Sequence, residues 1–180
     1  PPSLEGPIPW IRIEDKEKKY ISDSKTNQGV TQEIVEKMNL KIFPIGTVLT
    51  TCSCSFGTSM IVKKPLISNQ TFIGLFSDNK ELYSEYLYYQ LHIWKEQLER
   101  ESSGAIQQYL SQDNFKKLRF LYPPLIEQKL ISKYLDKKTE KIDLLIEKIE
   151  KKIEFLKEKK NSLINHYLTK GVNPNVEMKD

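Results

Sequence analysis

The sequence predicts an α+β chain, a β-rich globular part of residues 1–124 followed by one long helix over 125–170 and a short tail, 171–180. Two observations lead there. Leu135, Ile142, Ile149, Leu156 and Leu163 recur every seven residues, and a second row, Thr139, Ile146, Ile153, Lys160 and Tyr167, follows each by four. Such a seam wants a partner helix to bury it. Upstream, short stretches rich in β-branched residues alternate with Gly, Pro, Ser and Asn, the pattern of strands and tight connections.

Taken in order, Ile8 to Ile13 (IPWIRI) reads as a strand and the polar Ser22 to Thr31 as a loop. Gln32 to Met38 reads as a short helix capped by Thr31. Pro44-Ile45-Gly46 is a turn. Strands are predicted over Thr47 to Thr51, Phe56 to Val62 and Thr71 to Phe76. Glu81 to Arg100 is helical, with Tyr83, Leu87, Leu91, Trp94 and Leu98 on one face. That aromatic stripe suits base stacking in principle, but at 3.6-residue spacing it fits a core face better. Ser111 caps a short helix through Lys117, and Leu118 to Tyr122 reads as a further strand that holds Arg119 near the core. Pro123-Pro124 can launch the long helix, and Gly171, with Pro174 beyond, ends it. From Leu125 to Thr169 that helix is roughly 65 Å long at 1.5 Å per residue.

Composition narrows the classes. With 180 residues, 38% apolar and 10% aromatic, the chain suffices for one core domain plus an appendage. No apolar run approaches the ~18 residues of a membrane span. Pro1-Pro2-Ser3 carries no secretory pattern, and without an initiator Met the chain is expected to be a processed or trimmed piece. Cys52 and Cys54, with only two histidines to help, cannot complete a zinc site, so both are read as reduced thiols of a cytoplasmic protein. The net charge of +4 sits on the helix: residues 1–127 hold 15 basic and 15 acidic side chains, residues 128–180 hold 13 and 9. Lys and Glu alternate there as on a solvated coiled-coil surface. Charge therefore permits nucleic-acid binding without demanding it.

Catalytic patterns do not hold up. Tyr122-Pro123-Pro124-Leu125 is a poor version of an amino-methyltransferase loop, lacking the Asp, Asn or Ser that would accept from the target amine. Asp113 and Glu127-x-Lys129 fit a metal nuclease badly, because positions two apart on a helix do not share a face; Glu127 is better read as a first-turn carboxylate. His92 and His166 have no nucleophile or carboxylate pair beside them. No catalytic residue, metal or bound cofactor is expected. What survives is a set of loops rich in amides, hydroxyls and lysine, suited to base edges and phosphates. The candidate DNA contacts are Lys25, Asn27, Gln28, Ser53, Ser55, Asn69, Gln70, Ser103, Gln107 and Gln108. Of only three arginines, Arg12 and Arg100 are the candidate guanine readers.

Ordered landmarks add a resemblance. The segment Pro123-Pro-Leu-Ile-Glu-Gln-Lys-Leu-Ile-Ser-Lys-Tyr-Leu135 resembles the start of the conserved helix in the specificity (S) subunits of type I restriction-modification systems. Ile142-Asp143, Leu156-Lys-Glu158, Ser162-Leu-Ile164 and Thr169-Lys-Gly171 continue the likeness. Pro7-Ile-Pro-Trp-Ile11, Pro44-Ile-Gly-Thr-Val-Leu49, Ser68-Asn-Gln70 and Ser103-Gly-Ala-Ile-Gln-Gln-Tyr-Leu-Ser111 are similar to landmarks of their target recognition domains.

The resemblance implies a non-catalytic subunit that reads double-stranded DNA. It implies a partner methyltransferase (M) subunit carrying S-adenosylmethionine and a restriction (R) subunit using ATP and Mg. A full S subunit has two recognition domains and two helices, whereas this chain has one of each, so it is expected to be a half-subunit or a fragment. Val176-Glu-Met-Lys-Asp180 resembles the join to a second half, and the strand and Gly-rich turn that usually precede the Pro-Trp segment are not found. Two copies are expected to pair antiparallel as a homodimer through Leu135, Ile142, Ile146, Ile149, Ile153, Leu156 and Leu163. Burying the five Leu and Ile of the first row at about 1.5–3 kcal/mol each gives a gross term near 10 kcal/mol per helix. Lys160 is expected to weaken the seam locally and help set its register. The competing class is a coiled-coil interaction module whose globular head binds a protein.

Overall fold

The computed structural model describes residues 4–16, 19–52, 58–78, 80–101 and 119–172, with 95–101 by backbone alone. Cys54, Ser53, Ser55, Ser103, Gln107, Gln108, the short helix expected from Ser111 and the tail beyond 172 lie outside the described residues, as do the side chains of Leu98 and Arg100. The chain divides into two units, Pro1–Ser132 and Lys133–Asp180.

The first unit holds two small sheets. β1 (Ile8–Ile11) is the middle of a three-stranded sheet, flanked by β3 (Gly29–Val30), antiparallel, and β6 (Ile67–Ser68), parallel. The four-stranded sheet has the order β2 (Tyr20–Ile21), β5 (Ser59–Val62), β4 (Val48–Thr51), β7 (Phe72–Leu75), with only the β2–β5 pair parallel. Ile11, Ile21, Phe43, Leu49, Met60, Val62, Leu66 and Phe72 form a shared core cluster. α2 (Ser84–Glu101) covers the other face of the four-stranded sheet, where Val48 and Ile61 pack on Leu87 and Leu91. Alternate residues of β4 and β5 thus meet either the core cluster or α2, which is why both strands are buried along their whole length. α1 (Gln32–Lys37) closes a third cluster of Val30, Val35 and Ile67. Thr31 caps it as expected, its side chain accepting the Ile34 N–H.

Several expectations need correction. The first strand ends at Ile11, and a 3₁₀ turn spans Ile13–Asp15, because the Arg12 N–H turns to bond the Asp15 carboxylate at 2.7 Å. The loop expected from Ser22 to Thr31 ends in β3, whose pairing with β1 brings backbone against backbone: a Cβ on Gly29 would lie 2.2 Å from the Gly6 carbonyl oxygen. α2 starts at Ser84 rather than Glu81; the Ser84 hydroxyl donates instead to the Gly46 carbonyl at 2.7 Å. Residues 119–122 form no strand, and Arg119 is exposed rather than near the core. Phe120 packs instead beside the cluster of Val48, Ile61, Leu87 and Leu91, while Leu121 stays largely exposed and its carbonyl accepts from the Tyr86 hydroxyl at 3.1 Å.

α3 spans Leu125–Lys170. Its C-terminus follows the sequence reading: Gly171 takes φ +70° and its N–H returns to the Tyr167 carbonyl at 3.1 Å.

Candidate nucleic-acid interface and helical seam

Strand directions gather the sequence candidates at one end of the three-stranded sheet. β1 and β6 run parallel, so Arg12 and Asn69 emerge side by side, with the Asn69 N–H directed to the Ile11 carbonyl at 3.4 Å. β3 runs the other way, so its leading residues Asn27 and Gln28 arrive at that same end, the Gln28 carbonyl accepting the Trp10 N–H at 2.9 Å. Gln70 follows Asn69, and Cys52, a buried thiol, donates to the Gln70 and Thr71 carbonyls. Arg12, Lys25, Asn27, Gln28, Asn69 and Gln70 are therefore one composite edge built from three chain segments.

A residue that sequence reasoning missed holds that edge together. Asp15, only 3% exposed, accepts three hydrogen bonds: from the Arg12 N–H, from the Lys25 N–H at 2.8 Å and from the Ser24 hydroxyl at 3.1 Å. A buried carboxylate is tolerable because these donors replace its water. It fastens the loop of Lys25 to the end of β1. Asn27 sits just beyond with φ 53°, a left-handed conformation that asparagine accepts readily, its N–H bonded to the Ser24 carbonyl at 3.1 Å.

The candidates are not equivalent. Lys25, Asn27 and Gln70 are exposed, and Gln28 is half-buried. The Arg12 guanidinium lies 5.8 Å from the Trp10 ring centroid and 3.9 Å from the Glu14 carboxylate, so it is propped beside the edge. The Asn69 side-chain oxygen already accepts from the Thr71 hydroxyl, which engages half of the amide an adenine would need. Arg100 belongs to α2, and its side chain lies outside the described residues. His92 bonds the Tyr88 carbonyl through Nδ1 at 2.9 Å, within its own helix.

At the root of α3, the second missed residue is Gln128, fully buried. Its Nε2 donates to the Glu81 carbonyl at 2.9 Å and the Pro123 carbonyl at 2.8 Å, while its Oε1 accepts the Tyr83 N–H at 2.9 Å. Ser132, also buried, donates to the Gln128 carbonyl at 2.8 Å. Counted back by sevens from Leu135 and Thr139, Gln128 and Ser132 fall on the two seam rows. A polar pair at two apolar-expected positions was the signal available in the sequence.

Farther along, Ile142, Ile146, Ile149, Ile153, Leu156 and Leu163 are each 46–57% exposed, and Leu135 is half-buried. Outside the seam, charged side chains such as the Lys151–Glu147 pair at 2.7 Å, one turn apart, alternate with exposed apolar ones, Leu144, Leu145, Phe155, Ile164 and Leu168. No helix among the described residues is long and apolar enough to cross a membrane.

As a class, this is an α+β chain of two units, one with a polar edge at the end of its three-stranded sheet and one that carries a helix with an apolar heptad seam. Residues 3–155 match the family profile described as "Type I restriction modification DNA specificity domain", and the chain belongs to that family. It is 34% identical over 154 residues to the type I restriction enzyme MjaIX specificity subunit of Methanocaldococcus jannaschii, covering 84% of this chain and 34% of that protein. With the MjaVIII specificity subunit of the same organism it shares 26% over 174 residues, 94% of this chain and 40% of that protein. The chain thus spans less than half the length of these relatives. Its fold is similar to a chain in a structure described as the basis of complex assembly and conformational transition of the type I R-M system. There the TM-score is 0.63 at 20% identity, covering 70% of this chain and 31% of that one. The HsdS subunit from Thermoanaerobacter tengcongensis gives a TM-score of 0.50 at 21% identity, covering 58% and 25%.

Proposed function

We propose that this chain reads one half of a split site in double-stranded DNA and serves a type I restriction-modification assembly as its non-catalytic specificity component. The observation that carries the reading is the composite edge, where Arg12, Lys25, Asn27, Gln28 and Gln70, from distant segments, meet at one sheet end in a chain of this family. Amides can pair with base edges while lysine meets phosphate. Methyl transfer with S-adenosylmethionine falls to an M subunit, and ATP- and Mg-dependent cleavage to an R subunit, all in the cytoplasm.

The seam supports pairing of two copies. In an antiparallel arrangement each layer takes one residue from either row. Leu135 then meets Tyr167, Thr139 meets Leu163, Ile142 meets Lys160, Ile146 meets Leu156, and Ile149 meets Ile153, so that all ten positions are matched at once. Sliding by a heptad leaves rows unmatched at both ends. A two-fold protein of this kind reads an inverted, interrupted sequence.

The test is selection of bound duplexes from a random pool by the purified chain, followed by affinity measurements across salt concentrations. A recovered motif with an affinity that falls steeply with salt is expected. Binding to no duplex, with a flat salt response, would favour the protein-interaction module instead, and methyl transfer by the chain alone would overturn the non-catalytic assignment.

A further inference from the structure

A second polar surface lies where α2 meets the open edge of the four-stranded sheet. β2 is the outermost strand there, and Tyr20 pairs with Ile61, so its ring stands on the face that α2 covers. The Tyr20 hydroxyl donates to the Glu85 carboxylate at 3.4 Å, and Lys63 reaches the same carboxylate at 3.9 Å. The Lys63 Nζ also lies 4.2 Å from the Tyr20 ring centroid. Beside it, the Lys19 Nζ is 4.7 Å from the ring centroid of Tyr89, 5.3 Å from that of Tyr88 and 5.5 Å from that of Tyr20. An aromatic face orients an ammonium group without cancelling its charge. Tyr20 is 42% exposed and the Lys63 side chain 47%, so both remain open to a partner.

This corner is continuous with the composite edge. A groove of about 220 Å³, lined by Tyr20, Ser22, Asp23, Ser24 and Lys25 among others, joins the two. Lys64, next to Lys63, meets Asp23 of that groove at 3.8 Å. Tyr20 and Lys25 are five residues apart, so at ~3.3–3.6 Å per residue their Cα atoms lie within about 18 Å. A duplex rises about 3.4 Å per base pair, so that span covers about five base pairs.

We propose that Lys19, Tyr20 and Lys63 hold the phosphodiester backbone of duplex DNA beside the half-site, within about five base pairs of the bases met by the composite edge. The inference rests on the proposed function and adds to it a surface that reads charge rather than sequence. Lysine ammonium groups and a tyrosine hydroxyl suit phosphate oxygens. Glu85 works against the attraction while it holds Tyr20 and Lys63 in place. Continuity with the candidate edge favours a duplex over an acidic protein segment.

The test measures binding of the full chain by fluorescence anisotropy across salt concentrations. The duplexes carry the selected motif with either truncated flanks or flanks a full helical turn long. The wild type is expected to bind the long-flanked duplex more tightly. Lys63→Gln is expected to reduce that gain whatever the flank sequence and to lower the salt slope by about one. Between 50 and 200 mM salt, a slope change of that size makes the loss of affinity roughly three-fold smaller. Glu85→Gln is expected to act with the opposite sign and tighten binding to the long-flanked duplex. Opposite signs separate a phosphate contact from damage to the fold, which would weaken both variants. Weaker binding in both overturns the proposal. So does a wild-type slope and flank gain in a Lys63→Gln chain that keeps its near-ultraviolet circular dichroism. Should Lys63→Gln unfold, Lys19→Gln takes its place with the same expectations. A wild type that binds its motif with no gain from flanks overturns the inference and leaves the proposed function standing. A wild type that binds no duplex overturns both.

Discussion

The Asp15 carboxylate accepts the backbone N–H of Lys25 at 2.8 Å, joining residues ten apart through a group almost wholly removed from water. Because the same carboxylate holds the Arg12 N–H and the Ser24 hydroxyl, Asp15→Ala strips three bonds at once. Leaving buried donors without an acceptor costs about 2–3 kcal/mol. Urea denaturation of the full chain should show that loss, and Asp15→Asn should lose less because one oxygen acceptor remains. Sequence-selective binding should fall further than stability alone explains, since the edge loses its brace.

Gly74 and Phe43 share one space. A Cβ on Gly74 would sit 2.2 Å from the Phe43 ring, so Gly74→Ala is expected to destabilise by about 1–3 kcal/mol through overpacking. Phe43→Leu should relieve part of the clash, and a double-mutant cycle of melting curves should show coupling of the two sites. Gly29→Ala should have no such rescue, because its added carbon meets the carbonyl oxygens of Gly6 and Ile8 rather than a movable side chain.

In the seam, Ile142→Lys with Ile149→Lys should convert a dimer to a monomer in sedimentation equilibrium. Each replaced layer forfeits about 1.5–3 kcal/mol of burial and introduces charge. The circular dichroism of the globular unit should be unaffected. A variant that remains dimeric contradicts the seam. Lys160→Leu should act oppositely and tighten association, since in the matched register it faces Ile142.

On DNA, Lys25→Ala is expected to weaken binding to all sequences alike and to reduce the salt slope by about one. Gln28→Ala or Gln70→Ala should instead cost about 1–3 kcal/mol on the selected motif only and leave the slope unchanged. Fluorescence anisotropy on matched and scrambled duplexes separates the two patterns.

Elements with a period were legible in the sequence. α1 with its Thr31 cap, α2, the long α3 with Gly171 at its end, and β4, β5 and β7 all follow patterns contained in their own residues. The two-residue strands β2, β3 and β6 were not, because pairs such as Tyr20 with Ile61 or Trp10 with Ile67 are decided by distant partners, not by alternation. The apolar run ending at Tyr122 misled for the same reason: its residues 119–122 lack the partner that would make them a strand. At the candidate interface, amide-rich loops were found from composition, yet their convergence needed strand direction. Asp15 escaped because a single polar residue carries no pattern until the groups that bond it are known, whereas Gln128 and Ser132 could have been noticed as polar residues on the two seam rows.

The place of Gln128 and Ser132 on the seam rows, ahead of Leu135, divides one helix between two tasks. In the matched register the paired layers run from Leu135 to Tyr167, so the two polar residues fall before the first of them. A substitution that unpairs the seam should therefore leave the burial of Gln128 and Ser132 untouched.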